Sequence, residues 1–197
     1  MTKRRQVIVV TDGDKNARRA IEVSAKKIGA RCITASEGNP TPLSGQEMVN
    51  LIKTAKHDPV VVMLDDRGTS GKGAGERVLE YLGQNPDVQL IGAVAVASND
   101  PIAKGIQVDL SVSRDGQLIT GPVDKSGQPE IAGHSLLEGD TVDVLKQMEV
   151  PVIIGTGDTG KMDGADSFKD GAPITTKAFE EILHRYQERR ENNDGPG

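Results

Sequence analysis

Four short runs of unbroken apolar residues constrain this chain more than anything else in it: Val7 to Val10, Val60 to Leu64, Leu90 to Val96 and Val152 to Ile154. A strand that is wet on one face alternates apolar and polar residues, so an unbroken run of this length reads as a strand buried on both faces. Segments of helical period lie between the runs. Ala20, Ile21, Ser24, Ala25 and Ile28 share one helical face before the stop signal at Gly29. Met48, Leu51, Ile52 and Ala55 repeat the stripe, as do Val78, Leu79 and Leu82, and Phe179, Ile182, Leu183 and Tyr186 form the last one. A short strand through Cys32 and Ile33 completes a βαβαβαβ series, which favours a parallel sheet with right-handed crossovers.

The second half adds a different signal. Ile106, Val108, Leu110 and Val112 alternate with Gln107, Asp109 and Ser111, and Asp115-Gly116 then marks a hairpin turn into Gln117 to Thr120. The expected fold is therefore α/β: an open, mostly parallel sheet with helices on both faces, plus a β-hairpin insertion. Residues 1–188 are expected to form a single domain, and 189–197 a flexible polar tail. Between Gly121 and Gly133 lie three Gly, two Pro and little apolar material, which reads as a long mobile loop. Asp140 or Thr141 is placed to cap a helix carrying Val142, Leu145 and Met148.

Composition removes several functions. With two Phe, two Tyr and no Trp, aliphatic side chains must fill the core, and platforms for stacking unpaired bases are scarce. A net charge of -5 offers no attractive field to a phosphate backbone, so no nucleic-acid partner is expected. The single cysteine, Cys32, excludes an internal disulfide and reads as a buried strand thiol. The apolar run after Lys3, Arg4 and Arg5 is too short for a signal peptide, and no run approaches the roughly 20 residues of a membrane-spanning helix. A soluble protein without a signal peptide is expected, with any membrane association peripheral.

Candidate chemistry gathers at the strand ends. In an open parallel sheet, ligands bind beyond the carboxyl ends of the strands, where strand order reverses. If the first and third strands are neighbours, as in the order 2-1-3-4, Asp12 and Asp14 face Asp65 and Asp66 there. Carboxylates crowded into one crevice repel one another unless a cation bridges them, which points to Mg²⁺ or Ca²⁺. Aspartates also end strands and cap helices, so both readings stand. The glycine-rich stretch Gly68 to Gly75 precedes a helix and offers an anion cradle through Gly71, Lys72 and Gly73, or else a plain connection. Gly155 to Lys161 fits G-x-x-x-x-G-K, but Met162 replaces the hydroxyl residue that would hold Mg²⁺. A surface turn is the default reading of that run, with Lys161 as a ligand candidate on it. His57, His134 and His184 share no metal-ligand spacing.

Three blocks taken together, in this order and spacing, resemble the soluble stage V sporulation protein AE family of endospore-forming bacteria. They are Val7 to Asp14, Val61 to Gly75 and Val150 to Met162. The resemblance implies a noncatalytic accessory of sporulation and germination, located in the spore and peripheral to its inner membrane. It also implies partnership with the spore membrane's dipicolinic acid channel proteins, with calcium or dipicolinate as candidate small ligands. It implies no catalytic residue. The competing reading is a metal-dependent phosphotransfer or phosphodiester enzyme, since the acidic strand ends also resemble a Toprim site. Against it, no Glu closes the first strand, and Asp65-Asp66 lacks D-x-D spacing.

Overall fold

The four apolar runs meet in one sheet, which buries both of their faces. The computed structural model describes residues 3–67, 72–98, 105–131, 134–139 and 141–193. Its strands are β1 (Arg5–Val10), β2 (Arg31–Cys32), β3 (Val60–Met63), β4 (Val88–Val96), β5 (Leu110–Val112), β6 (Leu118–Ile119) and β7 (Ile153–Thr156). They form a seven-stranded sheet in the order β2-β3-β1-β4-β7-β5-β6. Every pairing is parallel except β5 with β6. The helices are α1 (Lys15–Lys27), α2 (Gly45–Thr54), α3 (Ala74–Gln84), α4 (Val142–Leu145) and α5 (Pro173–Asn193).

The side-chain period of a strand sorts the core into two layers. Val7 and Val9 of β1 join Val60 and Val62 of β3 against Met48 and Ile52 of α2 and Leu79 and Leu82 of α3. Ile8 and Val10 join Val61 and Met63 on the other face, against Ala17 and Ile21 of α1 and Phe179 and Ile182 of α5. Two-sided burial explains why these strands carry no polar alternation. Local signals then set the helix ends. Asp14 Oδ1 accepts the amides of Asn16 (2.8 Å) and Ala17 (2.9 Å), and α1 stops before Gly29, whose φ of +72° suits glycine. Ser44 and Glu47 form a reciprocal capping box on α2.

The first strand lies beside the third, but the full order differs from 2-1-3-4, because β2 pairs with β3 and β4 takes the other side of β1. The reason is extent of burial. Strand β2 has two residues, one of them the exposed Arg31, and suits an edge, whereas β4 is nine residues long and covers the whole of β1. The hairpin forms at Asp115-Gly116, with Val112 opposite Leu118 and Gly116 at φ +74°. Helix α5 continues through Asn193 into the segment read as tail, and Arg189 Nη2 lies 2.7 Å from Asp109 Oδ1.

Residues 121–131 are organised rather than a featureless loop. Val123 pairs with Pro129, Asp124 and Gln128 exchange hydrogen bonds, and Val123 is 1% exposed. The tip is docked as well: the amides of Arg114 and Asp158 donate to the carbonyls of Gly127 and Lys125, both at 2.8 Å.

Cys32 is buried on β2, and burial pushes its thiol up to about 12, with Glu22 adding to the shift. Native protein at pH 8 should therefore resist alkylation by iodoacetamide, whereas the urea-unfolded chain should react fully. Mass spectrometry of the two samples checks this, and equal labelling would contradict the burial.

Candidate functional site

Strands β1, β3 and β7 each run into a polar turn at the same edge of the sheet. The chain leaves β1 toward the face that carries α1 and leaves β3 toward the face that carries α3, so a crevice opens between the two turns. A cleft of about 180 Å³ lies there, lined among others by Asp12, Asp14, Asp65, Lys125, Asp158 and Lys161. Gly13 permits this closeness. A β-carbon there would meet the Gly38 carbonyl at 2.4 Å and Asp65 Cβ at 3.1 Å, so a larger residue would push the first turn off the third strand.

Charge is concentrated on the floor of the cleft. One carboxylate oxygen from each of Asp12, Asp14 and Asp158 lies within 4.8 Å of the others. Asp12 is 8% exposed, its Oδ1 accepts the Asp14 amide at 3.3 Å, and its Oδ2 has no hydrogen-bond partner among the described residues. Burial first, and then the charge of Asp14, push the Asp12 carboxyl up to about 8. Asp14 moves the other way. Burial would raise it, but the Lys161 ammonium and the amides of Ala17 and Asn16 outweigh that and hold it below its usual value. Lys161 Nζ bonds Asp14 Oδ2 and lies 3.1 Å from both oxygens of Asp158. Burial would lower its affinity for a proton, yet the two carboxylates raise it.

The remaining sequence candidates divide. Asp65 lines the cleft, but its oxygens also accept the amides of Gly13 (3.3 Å) and Arg67 (2.9 Å). Asp66 turns toward α3, where it accepts Gly75 N–H at 2.6 Å, Glu76 N–H at 3.2 Å and the Thr141 hydroxyl at 2.7 Å. Helix-start amides that the glycine-rich stretch could have offered to an anion are thus taken by Asp66, and Gly73 leaves room for its carboxylate. Lys72 pairs with Glu80 at 2.5 Å and lines a separate groove. Gly71 lies outside the described residues. The structure therefore brings Lys161 to the acidic cleft and leaves Lys72 and Gly73 away from it.

The turn after β7 is packed rather than superficial. A β-carbon on Gly157 would strike the Gly127 amide at 2.6 Å, and Thr156 and Thr159 are buried. No long helix follows directly, and Lys161 reaches back onto carboxylates instead of an open loop. The family model for stage V sporulation protein AE1 matches residues 6–186. The chain belongs to that family. The match spans β1 through most of α5 and so includes every residue on the floor of the cleft. Membership gives this stage V sporulation family protein a sporulation-related role. No curated protein and no solved structure matches the chain. Among the described residues no helix is long and apolar enough to cross a membrane.

Two charged residues of this sporulation protein's cleft escape the sequence reading. Asp158 sits inside the G-x-x-x-x-G-K run, whose default reading is a surface turn. Lys125 sat in the expected loop, yet its Nζ lies 3.7 Å from Asp158 Oδ2. The signal for Asp158 was positional: it follows a buried parallel strand by two residues, as Asp12 does.

Proposed function

We propose that this member of the stage V sporulation protein AE1 family is a noncatalytic accessory of spore germination. It docks peripherally on the dipicolinic acid channel proteins of the spore inner membrane. The observation that carries the reading beyond family membership is Ile131, a large apolar side chain 81% exposed, two residues beyond the Val123–Pro129 bridge. A bare isoleucine next to a rigid anchor is suited to contact with a partner, since a positioned loop can present a recognition residue. Deleting residues 123–129 would remove buried Val123 and the Lys125 carbonyl that holds the Asp158 amide, so a point substitution is the cleaner probe. Ile131→Glu should reduce recovery of the protein with spore membranes while leaving its melting temperature unchanged. The decisive comparison is fractionation of spores with and without the channel proteins. Membrane recovery that persists undiminished in their absence would overturn the docking.

A second reading, metal-dependent phosphotransfer, is favoured by the convergence of Asp12, Asp14 and Asp158 with two lysines in one cleft. Phosphodiesterase activity lost on Asp14→Asn would put this reading first.

A further inference from the structure

Among the described residues, the floor of the cleft holds three carboxylates against one intimate cation, the Lys161 ammonium. That ammonium serves Asp14 and Asp158 but not the remaining oxygen of Asp12. Asp12 lines the cleft, and its Oδ2 is buried with no hydrogen-bond partner among the described residues. A buried carboxylate oxygen without a donor is costly unless a proton or a cation completes it. We propose that Asp12, Asp14 and Asp158 form a binding site for one hard divalent cation, Ca²⁺ or Mg²⁺, whose place the Lys161 ammonium holds until the cation arrives.

The geometry suits such an ion. Oxygens within 4.8 Å of one another can be spanned by a cation that takes ligands at about 2.0–2.6 Å. Oxygen-only ligands select a hard ion over zinc or copper, and no histidine or cysteine belongs to the cluster. The ammonium and the ion cannot share the site. Lys161 Nζ contacts oxygens of the same two carboxylates the ion needs, and two cations a few ångströms apart in a partly buried cleft repel strongly. Binding therefore requires the Lys161 side chain, which is about one-third exposed, to swing outward. The ligand set differs from Asp12, Asp14, Asp65 and Asp66: Asp158 enters, and Asp66 is committed to the start of α3. The assignment depends on neither docking nor turnover.

The test is calorimetric titration of the full chain, first freed of metal by a chelator, with CaCl₂ and separately with MgCl₂ up to about 10 mM, a range that covers weak protein sites. One ion should bind per chain. Asp158→Asn and Asp14→Asn should each weaken binding by roughly tenfold or more, and Lys161→Gln should tighten it by a similar factor. Asp66→Asn should lower the melting temperature yet leave the isotherm unchanged. Circular dichroism melts accompany every variant, and because Asp14 also caps α1, Asp158→Asn is the primary ligand variant. Binding by Lys161→Gln alone would also support the proposal, since it would show the ammonium outcompeting the ion. Absence of binding by both wild type and Lys161→Gln would overturn it, as would an isotherm unaltered by Asp158→Asn or equally weakened by Asp66→Asn.

Discussion

Replacing Asp166 by Ala is expected to destabilise the protein by about 4 kcal/mol, a drop in melting temperature of roughly 8–16 °C for a chain of this size. Asp166 is fully buried and belongs to the turn that joins the cleft to α5. Its Oδ1 accepts the amides of Ile174 and Thr175, both at 2.9 Å, and so serves donors at the start of α5 that have no partner within the helix. Its Oδ2 accepts the Gly160 amide at 2.8 Å and the Thr175 hydroxyl, which ties the loop bearing Asp158 and Lys161 to the same carboxylate. Alanine leaves four donors in a dry site, each costing about 1–3 kcal/mol before relaxation. Asp166→Asn keeps one acceptor but turns an amine toward donors, so it should fall between wild type and alanine. Urea unfolding followed by circular dichroism measures the difference. A loss below about 1 kcal/mol would mean that the turn finds other acceptors, contrary to this account.

The second large effect concerns Asp12. In the presence of a chelator, the protein should lose stability as pH rises from 5 to 9, and Asp12→Asn should flatten that slope. The native carboxyl is raised from 3.8 to about 8, by burial first and then by the neighbouring Asp14 charge, so between those values the folded chain keeps a proton that the unfolded chain releases. More protons bound in the native state means that stability falls with rising pH, by about 1.4 kcal/mol per pH unit at most. The contribution is fully present below the unfolded value and is lost as pH passes through the folded one. Asparagine is uncharged at every pH and can retain the Asp14 amide on its own oxygen, so at pH 8 the variant should melt higher than wild type. Thermal melts at four pH values decide it. A wild-type stability that rises across this window would contradict the raised carboxyl.

Much of the fold was legible because burial leaves a local mark. The runs at Val60 to Leu64 and Leu90 to Val96 occupy the middle of the sheet, next to β1 and as β4. Gly29 and Gly116 fall where positive φ is needed, a requirement that glycine states by itself. The candidate site was legible in part. Asp12 and Asp14 could be placed at the end of β1 from strand and turn signals alone. Asp65 and Asp66, adjacent in sequence, look equivalent there, yet one lines the cleft while the other caps α3. Successive residues leave a strand end in different directions, and only the path of the following chain decides which one faces the crevice.

The sequence by itself determined which segments are buried, that their strands are parallel with helices on both faces, and that acidic turns close the first and third of them. Periodicity and turn chemistry act over a few residues, so they can be read without knowing what lies opposite. Tertiary structure alone decided that β3 and β4 flank β1, that the turn after β7 brings Asp158 and Lys161 to Asp12 and Asp14, and that residues 121–131 dock by the Lys125 and Gly127 carbonyls. These are contacts between segments up to 147 positions apart. Their geometry follows from how whole strands and helices pack, which no local pattern encodes.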